Sequence, residues 1–352
     1  MVAFIFIVLL SISSLYFKKS KTLFVLFFLS MWGLFGWNYS NADFHMYKGM
    51  YSVPLSEMIF FKFEGGYNIL MYGFKSLGLN FRQFYIAVSG AVLLLVFRFF
   101  YQFSNFSALL AVCFFWFLFP LQYVIFRNFI AFSIILQGFL AVLKNEKYYK
   151  AKYVFFVLIA ATIHISSLLY LLFLLAFKEN EIKIKTVLLW VIGLLVVVMV
   201  SHHLIFAVCS FYSKCKAMFY ATSLRLFLFY SSIQLANLYV VGYFLKPKNA
   251  IANDEDSRLN TIIININIVM LLLIVVYYEM AVFVRILLSM TILNIVFITN
   301  KLFLTDGKKR PKVLFLGYLF FWFFVLYFWL EKKHFFRFFR IIYCLNNPVG
   351  YN

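Results

Sequence analysis

Charged side chains are scarce in this chain, at 12% of its residues, and only 12 residues are acidic. Ordinary globular chains are about 45–50% apolar and about 25% charged. At 65% hydrophobic, with 50 Phe and 24 Tyr, this chain carries more apolar surface than a soluble domain can bury. Strict alternation of polar and apolar residues is also missing, which excludes a transmembrane β-barrel. The four cysteines (Cys113, Cys209, Cys215, Cys344) include no Cys-x-x-Cys pair and no adjacent histidine. They read as packing residues, not as a redox motif or a zinc site. No Gly-x-Ser-x-Gly elbow supports a serine nucleophile. No basic residue precedes the first apolar run, and the lysines follow it. The expectation is a first spanning helix with its N-terminus outside, not a cleaved signal peptide.

What recurs from end to end is the long apolar run, at residues 2–17, 22–37, 83–101, 106–126, 128–143, 153–177, 186–208, 224–245, 261–278, 281–300 and 313–330. A helix needs about 20 residues to cross about 30 Å of hydrocarbon, so the pattern predicts an all-α, polytopic integral membrane protein of about 10–12 transmembrane helices. A single membrane domain is expected over 1–352, with a larger external loop at 38–82 and a cytoplasmic linker at 246–260. The net charge of +20 invites a nucleic-acid partner, but the basic residues sit in short loops between apolar runs (KKSK at 18–21, KNEKYYKAK at 144–152, KKRPK at 308–312). That is the positive-inside pattern of a membrane protein, and no nucleic acid is implied.

With 18–21 inside, the order of crossings agrees with every basic loop up to 144–152. If 153–177 then crosses simply, the basic loop 301–312 falls outside, against the rule. The centre of that run reads ATIHISS, and non-helical backbone is tolerated at membrane depth where it lines a cavity. A broken or re-entrant segment is therefore expected there; a miscounted helix elsewhere is the competing account.

Charges inside apolar runs are informative because each costs on the order of 2.5–3.5 kcal/mol at mid-bilayer. Arg127 is the only charge in the 38 residues from Phe106 to Leu143, a run of about 57 Å as one helix that must fold in two. Arg127-Asn128 is thus expected to mark the turn near the outer face. A snorkelling anchor is one reading. The other is a planar guanidinium presented to a phosphate. Arg285 repeats the situation, and two arginines on one face would suit a pyrophosphate; a local pairing of Glu279 with Arg285 across a turn is the plainer alternative. His164, beside Ser166 and Ser167, is either an interhelical hydrogen bond or a proton acceptor. Asp43 and Glu64 bracket the outer loop with many aromatics between them. They suit sugar hydroxyls, with Tyr47, Tyr51 and Tyr67 as stacking faces, or else a solvated loop in an interfacial belt. His202-His203 is weak evidence for a metal.

Asp43 with Tyr47 and Tyr51, then Glu64-Gly-Gly-Tyr67 with Leu-Gly-Leu-Asn-Phe, then Arg127-Asn-x-x-Ala131, then His164-x-Ser166, in that order, resembles the EpsG-like branch of the Wzy oligosaccharide repeat-unit polymerases. The resemblance covers roughly residues 38–170, with Arg285 and the tail around Pro348 a looser match. Asn128 stands where members commonly have Gln, and Gly65 where they often have Pro. The resemblance implies a GT-C-like helical fold in a bacterial inner membrane and a transferase without metal or other cofactor. Its substrate would be an oligosaccharide carried on undecaprenyl pyrophosphate, with membrane lipid and a chain-length regulator as further partners. The roles implied are Arg127, Arg285 and Asn128 on pyrophosphate, His164 or else Glu64 or Asp43 as general base, and Tyr47, Tyr51 and Tyr67 on sugars. A lipid-linked sugar flippase would need charges along a path through both leaflets and internal pseudo-symmetry. A membrane acyltransferase modifying the surface glycan would also use a buried histidine.

Overall fold

In a bilayer the backbone has no water to bond, so its N–H and C=O groups must pair within the segment, as they do in a helix. Among the described residues the computed structural model builds the apolar runs as helices and forms no strand. Those residues are 2–37, 43–54, 64–178, 180–183, 185–187, 189–194, 196, 224–245, 254–279, 283–304, 312 and 314–322. Among the described residues five helical stretches are long and apolar enough to cross a membrane: Phe81–Phe103, Phe126–Leu143, Leu224–Leu245, Asp256–Val275 and Val284–Phe303. The chain is a polytopic all-α membrane protein. His202-His203, Cys209, Cys215, Cys344 and the tail around Pro348 lie outside the described residues.

Two compact units divide the chain, Met1–Leu168 with Ile295–Asn352, and Leu169–Asn294. In the first, α1 (Val2–Tyr16) and α2 (Lys21–Gly36) flank the first basic loop. The region expected as an external loop holds two helices, α3 (Phe44–Ser52) and α4 (Gly65–Ser76). α5 (Phe81–Phe103) then opens on a reciprocal capping box between Asn80 and Gln83, which satisfies two donors that helix geometry leaves orphaned.

The apolar run 106–143 folds in two, but the turn precedes Arg127. α6 (Ser107–Phe117) ends before Pro120, which lies in the first turn of the four-residue α7 (Phe119–Gln122). Proline lacks the N–H and the room that a continuing helix requires. The chain turns through Tyr123–Ile125, and α8 (Phe126–Leu143) starts with Arg127 already in its first turn. α8 packs on α5 and on α9 (Tyr149–Ile163). Gly138 permits the close α8–α9 approach, since a Cβ there would lie 3.0 Å from the Tyr153 ring. Buried Phe35 of α2 meets Tyr85 at 5.7 Å and Phe126 at 5.6 Å, fixing the start of α8.

The predicted interruption of 153–177 is present as a break: α9 stops at Ile163, His164 is extended (φ −149°, ψ 113°), and a 3₁₀ helix follows over Ile165–Ala176. Within the second unit a network of buried asparagines lies among apolar side chains. Asn265 and Asn267 are two residues apart, so they face different sides of their helix. Asn267 and Asn294 exchange hydrogen bonds of 2.8 and 2.9 Å, and Asn237 donates to Asn267 at 2.9 Å. Asn265 accepts from the Ile182 N–H at 2.8 Å and donates to the Asn180 carbonyl at 3.0 Å. The helix Asp254–Val269 takes up the second half of the expected 246–260 linker.

Candidate active site

Glu64 precedes α4 in the left-handed backbone region, φ 67° and ψ 32°. Residues other than glycine, asparagine and aspartate seldom adopt it, and such strain concentrates at functional sites. Gly65 spares residue 64 the restriction that a following proline imposes. The Glu64 side chain makes no helix-capping hydrogen bond, so its carboxylate is turned elsewhere. Oε1 lies 2.6 Å from Nδ1 of His164 and accepts the Ile165 N–H at 3.3 Å. Oε2 forms an ion pair with Arg127. One carboxylate thus bridges the imidazole and the guanidinium.

These three side chains are only 17%, 16% and 23% exposed (Glu64, His164, Arg127). Burial by itself would push the Glu64 carboxyl up. The hydrogen bond from His164 and the charge of Arg127 more than offset this and hold it below the usual carboxylate value. With Nδ1 engaged by the carboxylate, Nε2 is the ring nitrogen left to exchange a proton. This is the carboxylate–imidazole geometry in which the acid orients the base.

Arg127 sits at the N-terminal end of α8, where the helix dipole disfavours a cation. Glu64 compensates, and so do two rings: the guanidinium carbon is 5.8 Å from the centroids of both Tyr47 and Tyr67, within cation–π range. Those rings lie 6.1 Å apart, and Tyr47 is 5.7 Å from Phe126. Burial raises both phenols, Tyr67 well above the ordinary value. The Nε of Arg127 and the hydroxyl of Tyr67 are buried without a hydrogen-bond partner.

The structure alters the reading of the tyrosines. Tyr47, Tyr51 and Tyr67 are all buried, and their faces are covered by other protein rings. Tyr47 and Tyr67 form a platform under Arg127 where sequence alone offered sugar-stacking faces. Tyr51 ties α3 to the start of α5, donating to the Leu79 carbonyl at 2.7 Å, and Lys75 of α4 binds the Tyr51 carbonyl at 3.0 Å. Asp43 precedes α3 without capping it and raises the neighbouring Tyr47 phenol by its charge. Asn128 is buried beside Arg127 in sequence, with an Nδ2 that has no hydrogen-bond partner. Arg285 stands in the first turn of Val284–Leu304, in the second unit.

Sequence reasoning overlooked Gln122, whose side-chain oxygen and nitrogen are both buried and unpartnered, and Thr162, which touches Gly66. Thr162 lies within the quoted ATIHISS, so a signal was there. Among the described residues no group of three or more His, Cys, Asp or Glu side chains could hold a metal ion, and a zinc centre takes three or four such ligands.

The model of the family described as EpsG family matches residues 21–342. No curated protein matches the chain, and no solved structure does.

Proposed function

The chain belongs to the EpsG family, a membership that supports a polysaccharide-polymerase-like function in a membrane protein, and from it we propose a specific reaction. A glycan carried on undecaprenyl pyrophosphate is transferred to a hydroxyl of a second lipid-linked repeat unit, at the periplasmic face of a bacterial inner membrane. The product is an O-antigen or a capsular polysaccharide. The observation that carries this reading is the bridge made by Glu64 between His164 and Arg127.

In the proposed step the acceptor oxygen attacks the anomeric carbon of the donor glycan. The bond from that carbon to the pyrophosphate oxygen breaks, and its electron pair leaves with the pyrophosphate. His164 takes the acceptor proton at Nε2 as general base, held in the working tautomer by Glu64. Arg127 has five N–H donors; Glu64 takes one, and the Tyr47 side chain is hydrogen-bonded to the same guanidinium. The others, with the positive end of the α8 dipole, stabilise the charge that develops on the leaving group. Tyr47 and Tyr67 support the guanidinium from below. Asn128 is assigned as a further pyrophosphate contact, and Asp43 as an acceptor-side carboxylate.

Purified protein in liposomes, supplied with lipid-linked repeat units, tests the assignment. Replacing His164 by Asn should lower polymerisation by about 10²–10⁴-fold, the usual worth of a general base, with the protein still folded; an unchanged rate removes His164 from the chemistry. In cells the deletion phenotype separates classes. A single capped repeat unit marks a polymerase, loss of the glycan a flippase, and full-length chains lacking a substituent an acyltransferase.

A further inference from the structure

Gly66 lies two residues after Glu64, Thr162 two residues before His164, and the two touch. A Cβ on Gly66 would stand 2.1 Å from Thr162 Oγ1, 2.6 Å from its Cβ and 3.0 Å from its carbonyl carbon. Turning the threonine about χ1 moves only the first of these atoms. Any side chain at 66 must therefore drive α4 and α9 apart, until the Cβ contact retreats from 2.6 Å to at least 3.4 Å.

Both chemical side chains would follow that movement. The Tyr67 N–H donates to the Glu64 carbonyl at 3.1 Å, and the His164 N–H to the Ala160 carbonyl at 2.9 Å, so each is tied to its own helix end. A comparable displacement of the 2.6 Å Glu64–His164 contact exceeds the roughly 3.2 Å limit of a good N–H···O bond. The Thr162 hydroxyl is already bonded within its helix, to the Ile159 carbonyl at 2.7 Å. Its part at Gly66 is steric.

We propose that Gly66 and Thr162 are positioning residues whose close approach sets the distance at which Glu64 meets His164. This rests on the assignment of His164 as general base made above. A glycine at 66 is not needed by α4 itself, because alanine is the better helix former. The glycine serves the contact.

The test is the polymerisation rate in liposomes together with thermal unfolding in detergent. Gly66→Ala should lower kcat about 10²-fold, the effect of misplacement by about 1 Å, leaving KM for the lipid-linked donor unchanged and unfolding cooperative. Adding Thr162→Gly, which removes two of the three clashing atoms except the backbone carbon, should restore most of the rate. Adding Thr162→Ala, which keeps the Cβ that stands 2.6 Å from the added atom, should restore little. A fully active Gly66→Ala variant overturns the proposal. So does a folded Gly66→Ala/Thr162→Gly variant that recovers nothing; if that variant does not fold, a Gly66→Ala/Thr162→Ala variant that regains the full rate overturns it instead, because the clashing Cβ is still in place. His164→Asn in the same assay separates the two ideas. If it is fully active, the general-base assignment fails; if it is inactive beside a fully active Gly66→Ala, only the positioning role fails.

Discussion

Glu64 Oε1 and His164 Nδ1 stand 2.6 Å apart across 100 residues of sequence. The same carboxylate holds Arg127 through its other oxygen. Whatever draws Arg127 away from Glu64 therefore changes what His164 feels, so the proposed leaving-group contact and the proposed base are coupled through one side chain.

Competition at Arg127 gives a prediction of unusual sign. Glu64→Gln removes the anion that occupies part of the guanidinium, so inorganic pyrophosphate should bind more tightly by about 5–30-fold, the effect of one to two kcal/mol, while polymerisation falls. Calorimetric titration in detergent measures the first and the liposome assay the second. Weaker pyrophosphate binding in this variant contradicts the coupling.

For Arg127 itself, Arg127→Ala should reduce kcat by about 10²–10³-fold, as loss of one preorganised donor to a developing anion does. Arg127→Lys keeps the charge without the planar fork and should fall between wild type and alanine. Equal rates for Arg127→Ala and wild type would leave the residue as a snorkelling anchor.

Acid sensitivity follows from Glu64. In the unfolded chain a glutamate titrates near about 4.3, and in the fold this one lies lower, because the His164 hydrogen bond and Arg127 outweigh the opposing effect of burial. Between the two values the unfolded state binds more protons, so stability rises with pH there. The contribution is complete above the unfolded value and is lost as pH falls through the folded one. The gap in melting temperature between wild type and Glu64→Gln should hold steady from neutral pH down to the ordinary carboxylate range and then shrink. A gap that widens toward acid reverses the sign.

Tyr67 separates ring from hydroxyl. Its hydroxyl is buried without a partner, so Tyr67→Phe should be neutral or stabilising by up to about 1 kcal/mol. Tyr67→Ala removes a fully buried ring beneath Arg127 and should cost about 3–5 kcal/mol. Chemical denaturation of the detergent-solubilised protein measures both.

In the second unit, Asn267 is the shared partner of Asn237 and Asn294. Asn267→Ala leaves buried amide groups without their mutual bonds and should destabilise by about 1–3 kcal/mol. The Asn267→Ala/Asn294→Ala double variant should cost less than the sum of the two single variants, because the bond between them is lost only once.

The spans were legible because the demand lipid places on a backbone acts within each segment: Leu224–Leu245 is both the apolar run and the helix. The break at His164 was legible for a similar local reason, a polar cluster where the apolar run should continue. The turn near Arg127 was expected a few residues late: Pro120, which cannot continue α6, ends that helix ahead of the charge, and the chain turns before α8 begins. The helices α3 and α4 were read as loop, since their polarity matches an exposed segment until tertiary packing buries Tyr47, Tyr51 and Tyr67.

Sequence by itself determined the solvent of this protein, its helical class and the few polar residues on which chemistry can rest, because hydrophobicity and charge act residue by residue. Its family could be read from the order of those residues. Only the tertiary structure decided their partners. Glu64, Arg127 and His164 carry no mark of one another in composition or periodicity, and two tyrosines offered to sugars serve as the floor beneath an arginine instead. The physical reason is that contact distance depends on how closely α4 and α9 can approach, and that is set where Gly66 meets Thr162.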